Sequence, residues 1–537
     1  MKQTLIRGSL VYDGSGAPPR EADILIREDR IEAIGSGLAA GIEDSADAEI
    51  VDAAGKIVCP GFVDIHRHCD AAVLISPDFG DIELAQGITS TVMGNCGMAP
   101  VPFNPQYKDE AYSYIEPMVG KIPPGLPFEN YSVYADGLRS LELPLNMGFL
   151  AGAGAIKTAV KGFAKTPFSK IEMERTCDYI REAMTAGAFG LSFGIMYQSE
   201  CYSSRQELIA QAKIAASFGG VLCTHIRGEG DSLCSSVEEM IAVAAAAEIP
   251  LNISHFKATG IKNWRSAIFR AIECIGTARS KGQKVTADFY PYTGGSTTLM
   301  SLLPPSALED TLGGTLEKLA GPGGKEFLRR ELGREHPGWD NMALSIGWDR
   351  VLISSVYLSE HDDYNGRNMK EIAAEKGFSD PADLLTDLLL SEGGRTGIIV
   401  LSMAAEDVDE ICRLPWTALI SDSLYGSGAN PHPRLYGAFP RLLREYVRER
   451  KILTMEEAIH KMTAMPAERL GIRQRGRLEP SYYADMVIFD PENFTDHADY
   501  VHPKQKATGM DLVMINGVVV RRNDETLSSA GRFLKKN

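Results

Sequence analysis

Residues 60–68 read Pro60-Gly61-Phe62-Val63-Asp64-Ile65-His66-Arg67-His68, and an apolar run that starts at Lys56 leads into them. Side chains on a β-strand alternate between its two faces, so His66 and His68 leave the same face and can bind one ion. A single pair of this kind is also found as two ordinary polar residues at a strand end. The remainder of the chain decides between these two interpretations.

The chain has 537 residues, which is well above the ~250 of a bare (β/α)8 barrel. Its apolar content of 44% and charged content of 23% are those of an ordinary globular protein. The formal net charge of −16 argues against a nucleic-acid partner and against an anionic membrane surface, since both require basic faces. The sequence does not determine the oligomeric state.

The first residues, 1–7, contain no apolar run before the first charges, so we expect no signal peptide. No apolar run in the sequence approaches the ~20 residues needed to span a bilayer. The nine cysteines follow no spacing pattern, and their odd number fits a reducing compartment better than a disulfide framework. We therefore expect a cytoplasmic protein.

Both ends of the chain consist of short strand candidates with tight turns. Near the amino terminus these are Thr4–Tyr12, Ala22–Arg27, Ile31–Ile34 and Glu49–Val51. Near the carboxyl terminus they are Ala484–Asp490, Leu512–Ile515 and Val518–Val520, the last two joined by an Asn516-Gly517 hairpin turn. Because such strands need a partner sheet, we expect the termini to form one small β-sandwich domain over residues 1–55 and 477–524.

Between the termini, strand and helix patterns alternate, which indicates a parallel sheet with helical crossovers. The eight strand candidates are Lys56–Ile65, Ile88–Met93, Asn146–Ala151, Ala188–Phe193, Gly220–His225, Pro250–His255, Lys284–Tyr290 and Thr417–Ser421. Capping boxes at Ser169 and Ser204 open two of the predicted helices. The predicted fold class is therefore α/β, with a (β/α)8 TIM barrel over residues 56–476 whose chemistry lies at the carboxyl ends of the strands.

One connection in this barrel is much too long. The seventh and eighth strand candidates are separated by roughly 125 residues, well beyond the usual connection lengths. We expect an insertion within about 297–415, part of which covers the barrel mouth as a lid, with extra strands at Arg350–Leu358 and Gly397–Ser402. Helices over Tyr436–Arg450 and Met455–Leu470 then lead back to the terminal domain.

Metal-ligand side chains stand at the ends of five of these strands. The set is His66, His68, Cys96, His225, His255 and Asp422. Each alone has an ordinary explanation, such as a buried thiol, a core histidine or a helix cap. Because the strands of a barrel converge at one mouth, the six together indicate a metal site, and a thiolate with imidazoles suits zinc.

Several pieces of the chain match those of a known family. They are Pro60–His68 with Asp70, Gly94-Asn95-Cys96-Gly97, Thr224-His225 with Arg227, Ser254-His255 with Lys257, Tyr290-Pro291-Tyr292-Thr293, Ser421-Asp422, His432-Pro433-Arg434 and Phe439-Pro440-Arg441. On these pieces the chain resembles the N-acyl-D-amino-acid deacylases (D-aminoacylases) of the metal-dependent amidohydrolase superfamily. The resemblance extends from the first strand to Ile515-Asn516-Gly517, nearly the whole chain.

The Gly-Asn-Cys-Gly piece is the specific one. Most other amidohydrolases bridge two metals with a carboxylated lysine or a glutamate, whereas this family uses the cysteine. The fourth strand here, residues 190–194, has no lysine to modify, which agrees. Two departures from the family pattern are Arg67, where the family often has a small residue, and Cys69. Strand alternation should point Arg67 away from the ligands.

The resemblance implies roles for individual residues. Cys96, His225 and His255 would hold a tightly bound zinc ion. A second, weaker site would be surrounded by His66, His68 and Asp422, with Cys96 as the bridge and Asp422 also as the catalytic base. The substrate carboxylate would be held by Lys257 and by Tyr197 and Tyr292, with a hydroxyl from Thr298 or Ser296.

The implied reaction is zinc-dependent hydrolysis of the amide bond of small-molecule N-acyl-D-amino acids, giving a carboxylate and a free D-amino acid. Zinc lowers the pKa of bound water towards ~7, so hydroxide is available for attack, and Asp422 can pass the proton to the leaving amine. Two alternatives stay open: a cyclic-amide hydrolase of the dihydroorotase or hydantoinase kind, and a non-catalytic amidohydrolase-like binding protein. The cysteine element argues against the first, and the filled ligand positions argue against the second.

Overall fold

A ring of eight parallel strands forms the centre of the computed structural model, which describes residues 3–38, 48–123, 129–426 and 428–536. In chain order, barrel strands 1 to 8 are Phe62–Asp64, Ile88–Met93, Asn146–Phe149, Gly190–Gly194, Val221–His225, Leu251–Ile253, Val285–Phe289 and Thr417–Leu419. Neighbours in this order are paired, and strand 3 continues as Ala151–Gly152 to reach strand 4. The predicted (β/α)8 barrel is confirmed.

The ring closes through the segments that follow strands 1 and 8. Arg67–His68 pairs in parallel with Ser423–Leu424, and the Asp422 amide donates to the His66 carbonyl oxygen over 2.9 Å. The Ser421 amide also donates to Asp64 Oδ1 over 3.2 Å. The seam of the barrel thus places the histidine pair directly beside Asp422.

Helices connect the strands and cover the outside of the barrel. They are Ala72–Ile75, Asp81–Ala85, Lys108–Val119, Tyr131–Ser140, Ala153–Lys161, Lys170–Ala186, Arg205–Ser217, Leu233–Ala247, Ala267–Ser280, Ala405–Arg413, Arg434–Arg441, Met455–Met462 and Ala464–Leu470, with a 3-10 turn at Ile261–Asn263. The predicted capping boxes are present: Ser169 accepts from the Glu172 amide and Ser204 from the Glu207 amide. In the described ranges, no helix combines the length and the apolarity needed to cross a bilayer.

Two of the predicted helices after strand 8 are divided. In place of the single helix predicted over 436–450, the structure has an α-helix, Arg434–Arg441, followed by a π-helix, Leu442–Glu449. The interval 455–470 is broken at Thr463, whose backbone angles (φ −130°, ψ −88°) are not helical. Pro466 explains the break, because its ring nitrogen cannot donate to the carbonyl oxygen four residues earlier.

Both chain termini contribute to one nine-stranded sheet, the terminal sheet. Its strands are Gln3–Val11, Arg20–Arg27, Arg30–Gly35, Ala48–Asp52, Ile57–Pro60, Met486–Phe489, Met510–Ile515, Val518–Arg522 and Glu525–Thr526. Apolar side chains from both halves share one core, among them Ile6, Ile24, Met486 and Met514. The Asn516-Gly517 turn has positive φ at both residues (50° and 77°), as a tight two-residue hairpin requires.

The first predicted strand divides between two sheets. Ile57–Pro60 pairs with Met486–Phe489 in the terminal sheet, and only Phe62–Asp64 belongs to the barrel. The change occurs at Gly61, where a Cβ would lie 2.2 Å from Thr89 Oγ1, so a side chain has no room. The terminal sheet therefore extends to Pro60 and the barrel strand begins after Gly61. The predicted division of the chain into domains stays a prediction.

The insertion between strands 7 and 8 is built around a three-stranded antiparallel sheet with its own core. The strands are Gly295–Thr298, Val351–Ser355 and Gly397–Val400. Its helices are Leu312–Ala320, Gly324–Leu332, Met342–Ile346, Met369–Glu375 and Pro381–Ser391, with 3-10 turns at Leu299–Leu302, Trp348–Arg350 and Ser359–Tyr364. Leu299, Leu328, Ile353 and Leu389 are fully buried within this unit, which is therefore a packed subdomain over the barrel mouth.

Candidate active site and metal centre

The loop after barrel strand 2 presents Cys96 to the barrel mouth. Gly94 and Gly97 flank it with φ of 78° and 71°, conformations that favour glycine. A Cβ at Gly94 would lie 2.2 Å from the Leu150 carbonyl oxygen, and one at Gly97 would lie 2.0 Å from Glu200 Oε2. The glycines of the Gly-Asn-Cys-Gly element are thus required by close packing on both sides of the thiol.

Three residues of the candidate metal site adopt left-handed backbone conformations. The φ angles are 53° at Cys96, 35° at His255 and 50° at Asp422. Such conformations are costly for residues with a side chain and persist at functional sites that the surrounding fold holds in place. All three residues follow the ends of barrel strands, so the strain is located where the side chains must turn towards one point.

The side chains of the site converge in the structure as they would around bound metal. Cys96 Sγ lies 3.3 Å from His66 Nε2 and 3.4 Å from His255 Nε2. Asp422 Oδ1 lies 3.3 Å from His66 Nε2 and 3.4 Å from His68 Nε2. Each of these side chains is buried. The atoms that meet are those that donate electron pairs to metals, and no apolar group separates them.

These donors form three overlapping groups whose ligand atoms lie within 4.8 Å of one another. The groups are His66 with His68 and Cys96, Cys96 with His225 and His255, and His66 with His255 and Asp422. Cys96 belongs to two of the groups. The described residues can therefore hold metal at two adjacent positions that share the thiolate.

The electrostatics of the site favour a thiolate. Burial would raise the pKa of Cys96, but the His66 and His255 imidazoles beside it hold that pKa well below its usual range. Although burial opposes it, Cys96 and Asp422 raise the pKa of His66, and the same two residues bring the pKa of His68 to about 9. Protons on these histidines balance the anions in the absence of metal, and metal binding would displace them.

Carboxylates behind the histidines fix the orientation of the rings. Asp288, at the end of barrel strand 7, accepts from the His255 amide over 2.5 Å, and its Oδ1 lies 3.7 Å from His66 Nδ1. Glu229 Oε1 lies 3.1 Å from His255 Nδ1. Ring nitrogens that face away from a metal generally meet such carboxylates, which fix the tautomer and increase ligand basicity.

Lys257 is engaged by neighbours inside the pocket. Its Nζ lies 2.6 Å from Glu229 Oε1 and 2.7 Å from His255 Nδ1, and it donates to the His255 carbonyl oxygen over 2.8 Å. Glu229 in turn lies on the loop after strand 5, next to Gly230, whose amide donates to Asp340 of the insertion over 2.7 Å. The insertion therefore holds the loop that carries the partner of Lys257.

Asp422 is paired on both of its oxygens. Its Oδ2 lies 2.9 Å from Arg434 Nη1, and the Arg434 guanidinium stands 4.5 Å from the centre of the Tyr290 ring. Burial would raise the pKa of Asp422, but Arg434, His66 and His68 keep it well below its usual range. The carboxylate is therefore ionised at neutral pH.

One pocket opens onto these groups. His68, Cys96, His225, His255 and Asp422 line it, and His66 lies directly behind Cys96. Of the predicted substrate-binding residues, the pocket contains Lys257, Tyr197 and Ser296. The insertion contributes Gly295, Ser296, Thr297, Met342 and Val400 to its wall.

Two predicted substrate-binding residues lie outside this wall. The chain turns after strand 7, where the Tyr292 amide donates to the Tyr290 carbonyl oxygen over 3.0 Å, so strand alternation is lost. Tyr290 consequently lines the pocket, while the Tyr292 ring packs 5.1 Å from His432. Thr298 is buried opposite Gly397 in the insertion sheet, and Thr297 lines the pocket in its place.

Comparison with known proteins places the chain in a family. A family model described as "Amidohydrolase family" matches residues 349–521. D-aminoacylase of Alcaligenes xylosoxydans xylosoxydans is 30% identical, with 99% of this chain and 97% of that protein aligned. N-acyl-D-glutamate deacylase of the same organism is 32% identical over 99% of this chain and 96% of that protein. The chain belongs to the D-aminoacylase family of amidohydrolases.

A solved structure supports the same placement of this D-aminoacylase-family chain. N-acyl-D-glutamate deacylase of Bordetella bronchiseptica, crystallised with zinc and a phosphonate that mimics the tetrahedral reaction intermediate, is 29% identical, and the match covers 100% of both chains with a TM-score of 0.83. The D-aminoacylase-family chain is thus an amidohydrolase barrel and a hydrolase of amide bonds.

Sequence patterns predict no role for several residues around the site of this D-aminoacylase-family chain. Glu229 stands four residues after His225, and that spacing carries no signal because the segment is a loop. Arg434 is part of the His432-Pro433-Arg434 piece, yet only the fold brings it against Asp422. His432 positions that segment: the Arg434 amide donates to its Nδ1 over 3.0 Å, and its Nε2 donates to the Gly294 carbonyl oxygen over 2.8 Å.

Proposed function

We propose that the protein is a zinc-dependent N-acyl-D-amino-acid deacylase, which hydrolyses the amide bond to release a carboxylate and a free D-amino acid. One observation carries the proposal: a thiolate, imidazoles and the Asp422 carboxylate converge at the mouth of the barrel beside a pocket. Family membership adds the reaction class, and the zinc in the related Bordetella bronchiseptica deacylase adds the metal.

The donor set suits zinc, which prefers thiolate and imidazole ligands. Cys96, His225 and His255 would hold the tightly bound ion, since their ligand atoms form one compact group. A second, weaker site would use His66, His68 and Asp422, with Cys96 shared. When bound, the metal would activate water and polarise the amide carbonyl of the substrate.

Asp422 moves the proton in this proposal. It is ionised because Arg434 and the histidines stabilise its charge. Its Oδ1 lies 3.3 Å from His66 Nε2 and 3.4 Å from His68 Nε2, the ring nitrogens that would bind the metal. A carboxylate in that position can accept a proton from the attacking water and deliver it to the leaving nitrogen. Such delivery is required because an amide nitrogen leaves poorly until it is protonated.

The substrate carboxylate would meet the cationic side of the pocket. The Lys257 ammonium and the Arg434 guanidinium both lie near the Tyr290 ring, 5.9 and 4.5 Å from its centre. Tyr197 and Ser296 stay in the proposal as further partners, and Tyr290 replaces Tyr292 because it lines the pocket. We also propose a cytoplasmic location, because nine cysteines without a spacing pattern fit a reducing compartment.

The test is a hydrolysis screen with the zinc-loaded protein on N-acetyl and N-formyl derivatives of D- and L-amino acids. Dihydroorotate and a 5-substituted hydantoin serve as cyclic-amide controls. Release of free D-amino acid, with little from the L-isomers, is the expected result. Hydrolysis of the cyclic amides alone would assign the alternative reaction, and zinc-loaded protein without any hydrolysis would leave only a binding role.

A further inference from the structure

The carboxylate of Asp340, in the insertion, is enclosed by the barrel loop that carries Glu229. Its Oδ2 accepts from the Gly230 amide over 2.7 Å. Its Oδ1 accepts from the amide and from the hydroxyl of Ser232, each over 3.0 Å. Three donors of one barrel loop therefore hold a single side chain that comes from the insertion.

The loop has the shape that a carboxylate in this position requires. A Cβ at Gly228 would lie 2.5 Å from Asp340 Oδ2, so a side chain there would collide with the carboxylate. Ser232 precedes the helix Leu233–Ala247, and its hydroxyl donates to Asp340 instead of capping that helix. The amides at a helix amino terminus and the helix dipole both stabilise an anion. The insertion thus supplies the negative charge that this helix start lacks.

Asn341, the next residue, fixes Asp340 to the body of the insertion. Its Nδ2 donates to the carbonyl oxygens of Leu332 and Arg334, over 2.9 Å in each case. Its side chain also caps the helix Met342–Ile346. The Asp340 carboxylate is therefore held on the insertion side as well as on the barrel side, and it can transmit the position of one to the other.

Glu229 lies between the loop residues that Asp340 binds and the candidate active site. Its carbonyl oxygen accepts from the Thr259 amide over 2.8 Å. Its carboxylate lies 3.1 Å from His255 Nδ1 and 2.6 Å from Lys257 Nζ. The direction of the Glu229 side chain depends on the course of its backbone, and Asp340 fixes that backbone at the next residue.

We propose that Asp340 is a positioning residue for the deacylase reaction. It fixes the Glu229 loop and thereby orients the Lys257 ammonium and the His255 imidazole. Asp340 lies outside the described lining of the pocket, so it acts through the loop and not by contact with substrate. The inference rests on the proposed deacylase function, and it gives the insertion a task beyond forming part of the pocket wall.

The first arm of the test asks whether Asp340 holds the loop. Hydrogen exchange of the zinc-loaded, full-length protein is followed in a peptide that covers residues 226–233, with and without Asp340→Asn. Asparagine keeps the size of the side chain but replaces one acceptor oxygen with a donor. Because hydrogen bonds to a charged group are the strong ones, we expect exchange in this peptide to become about tenfold faster. Unchanged exchange would overturn the proposal.

The second arm measures zinc affinity by competition with a chelator. Asp340→Asn should weaken zinc binding by about 3–10-fold, less than a carboxylate in direct contact with a ligand histidine, because Asp340 acts one contact further out. If it acts through Glu229, the same substitution in a Glu229→Gln background should change zinc affinity by less than about twofold. Equal effects in both backgrounds would show general damage and would overturn the proposal.

The third arm separates KM from kcat at saturating zinc, on one good N-acyl-D-amino acid. Lys257 would hold a carboxylate that is charged in ground and transition states alike, so Asp340→Asn should raise KM by about 3–10-fold and change kcat little. Asp383→Asn is the matched control, because Asp383 is a buried carboxylate that pairs with Arg329 inside the insertion at 2.7 Å. The same rise of KM in Asp383→Asn would overturn the specific role of Asp340.

The two proposals fail in distinguishable ways. If the zinc-loaded wild type hydrolyses no N-acyl-D-amino acid, the deacylase function is wrong, while hydrogen exchange and zinc affinity still report on the loop. If it does hydrolyse them and Asp340→Asn behaves as the wild type, only the positioning role is wrong. If Asp340→Asn does not fold, Gly228→Ala is the second variant, since its Cβ displaces the same carboxylate. It should give the same changes, and wild-type zinc affinity and exchange in Gly228→Ala would overturn the proposal.

Discussion

Arg67 Nη2 lies 2.6 Å from Glu83 Oε1, and neither side chain is exposed to solvent. Arg67 also contacts Asp64 Oδ2 at 3.2 Å and donates to Ser421 Oγ over 3.1 Å. The arginine that departs from the family pattern therefore points away from the metal ligands, into a buried network behind them. That network joins barrel strand 1, the helix Asp81–Ala85 and the segment that carries Asp422.

Removal of Arg67 should destabilise the fold. Arg67→Met leaves the buried carboxylates of Glu83 and Asp64 without the positive charge that balances them. Breaking such a buried ion pair lowers the free energy of unfolding by about 3–5 kcal/mol. Denaturant unfolding measures the change. The control is Arg181→Met, since the Arg181–Asp178 pair is exposed and should contribute about 0–1 kcal/mol. Equal, small losses in both variants would contradict a structural role for the network.

Cys96→Ala should lose zinc. The thiolate belongs to both candidate metal positions, so its removal weakens each of them. Elemental analysis of the purified variant provides the measurement. Cys223→Ala is the control, because Cys223 is a buried cysteine of barrel strand 5 outside the ligand groups. Full zinc content in Cys96→Ala would refute the assignment.

Asp422→Asn should lower kcat by roughly 10²–10⁴, the usual contribution of a positioned acid–base group. Steady-state kinetics on one good N-acyl-D-amino acid measure the effect, with metal content determined in parallel because Asp422 also belongs to a candidate ligand group. Asp407→Asn changes a buried carboxylate outside the pocket and should keep near-normal kcat. A near-normal kcat for Asp422→Asn would show that another group moves the proton.

Glu229→Gln should weaken zinc binding by about 10–100-fold, since it removes the carboxylate next to His255 Nδ1. Competition with a chelator of known affinity measures the change. Glu239→Gln is the control. Glu239 pairs with Arg227, which lies on the same loop as Glu229, and it is not paired with a ligand histidine. Unchanged zinc affinity in Glu229→Gln would restrict this carboxylate to its contact with Lys257.

Glu200 should make stability fall as pH rises. Burial raises the pKa of this carboxyl from 4.5 to about 8. Between these values the folded protein holds a proton that the unfolded chain has released, so stability decreases with pH through that window. Unfolding free energies of the wild type and Glu200→Gln, compared from pH 5 to 8, should converge at low pH and separate as pH rises, with the wild type less stable. Parallel curves would show that Glu200 does not titrate there.

The sequence by itself determined the barrel and the candidate metal ligands. Alternation of strand and helix patterns is a local property, and strand ends can be read from it. His225 is the last residue of a barrel strand, and His66, His68, Cys96, His255 and Asp422 follow the ends of others. Parallel strands of a barrel must end at one mouth. Both facts follow from short-range periodicity and chain geometry, so no tertiary information was needed.

Only the tertiary structure decided which side chains surround those ligands. Tyr290 and Tyr292 stand two residues apart, and a turn that the pattern does not encode puts only Tyr290 into the pocket. Glu229 and Lys257 lie on different loops, and Met118 and Met342 come from helices far apart in the chain. Their positions depend on how loops and the insertion pack against the barrel. Such packing is set by many long-range contacts, which a local sequence pattern does not specify.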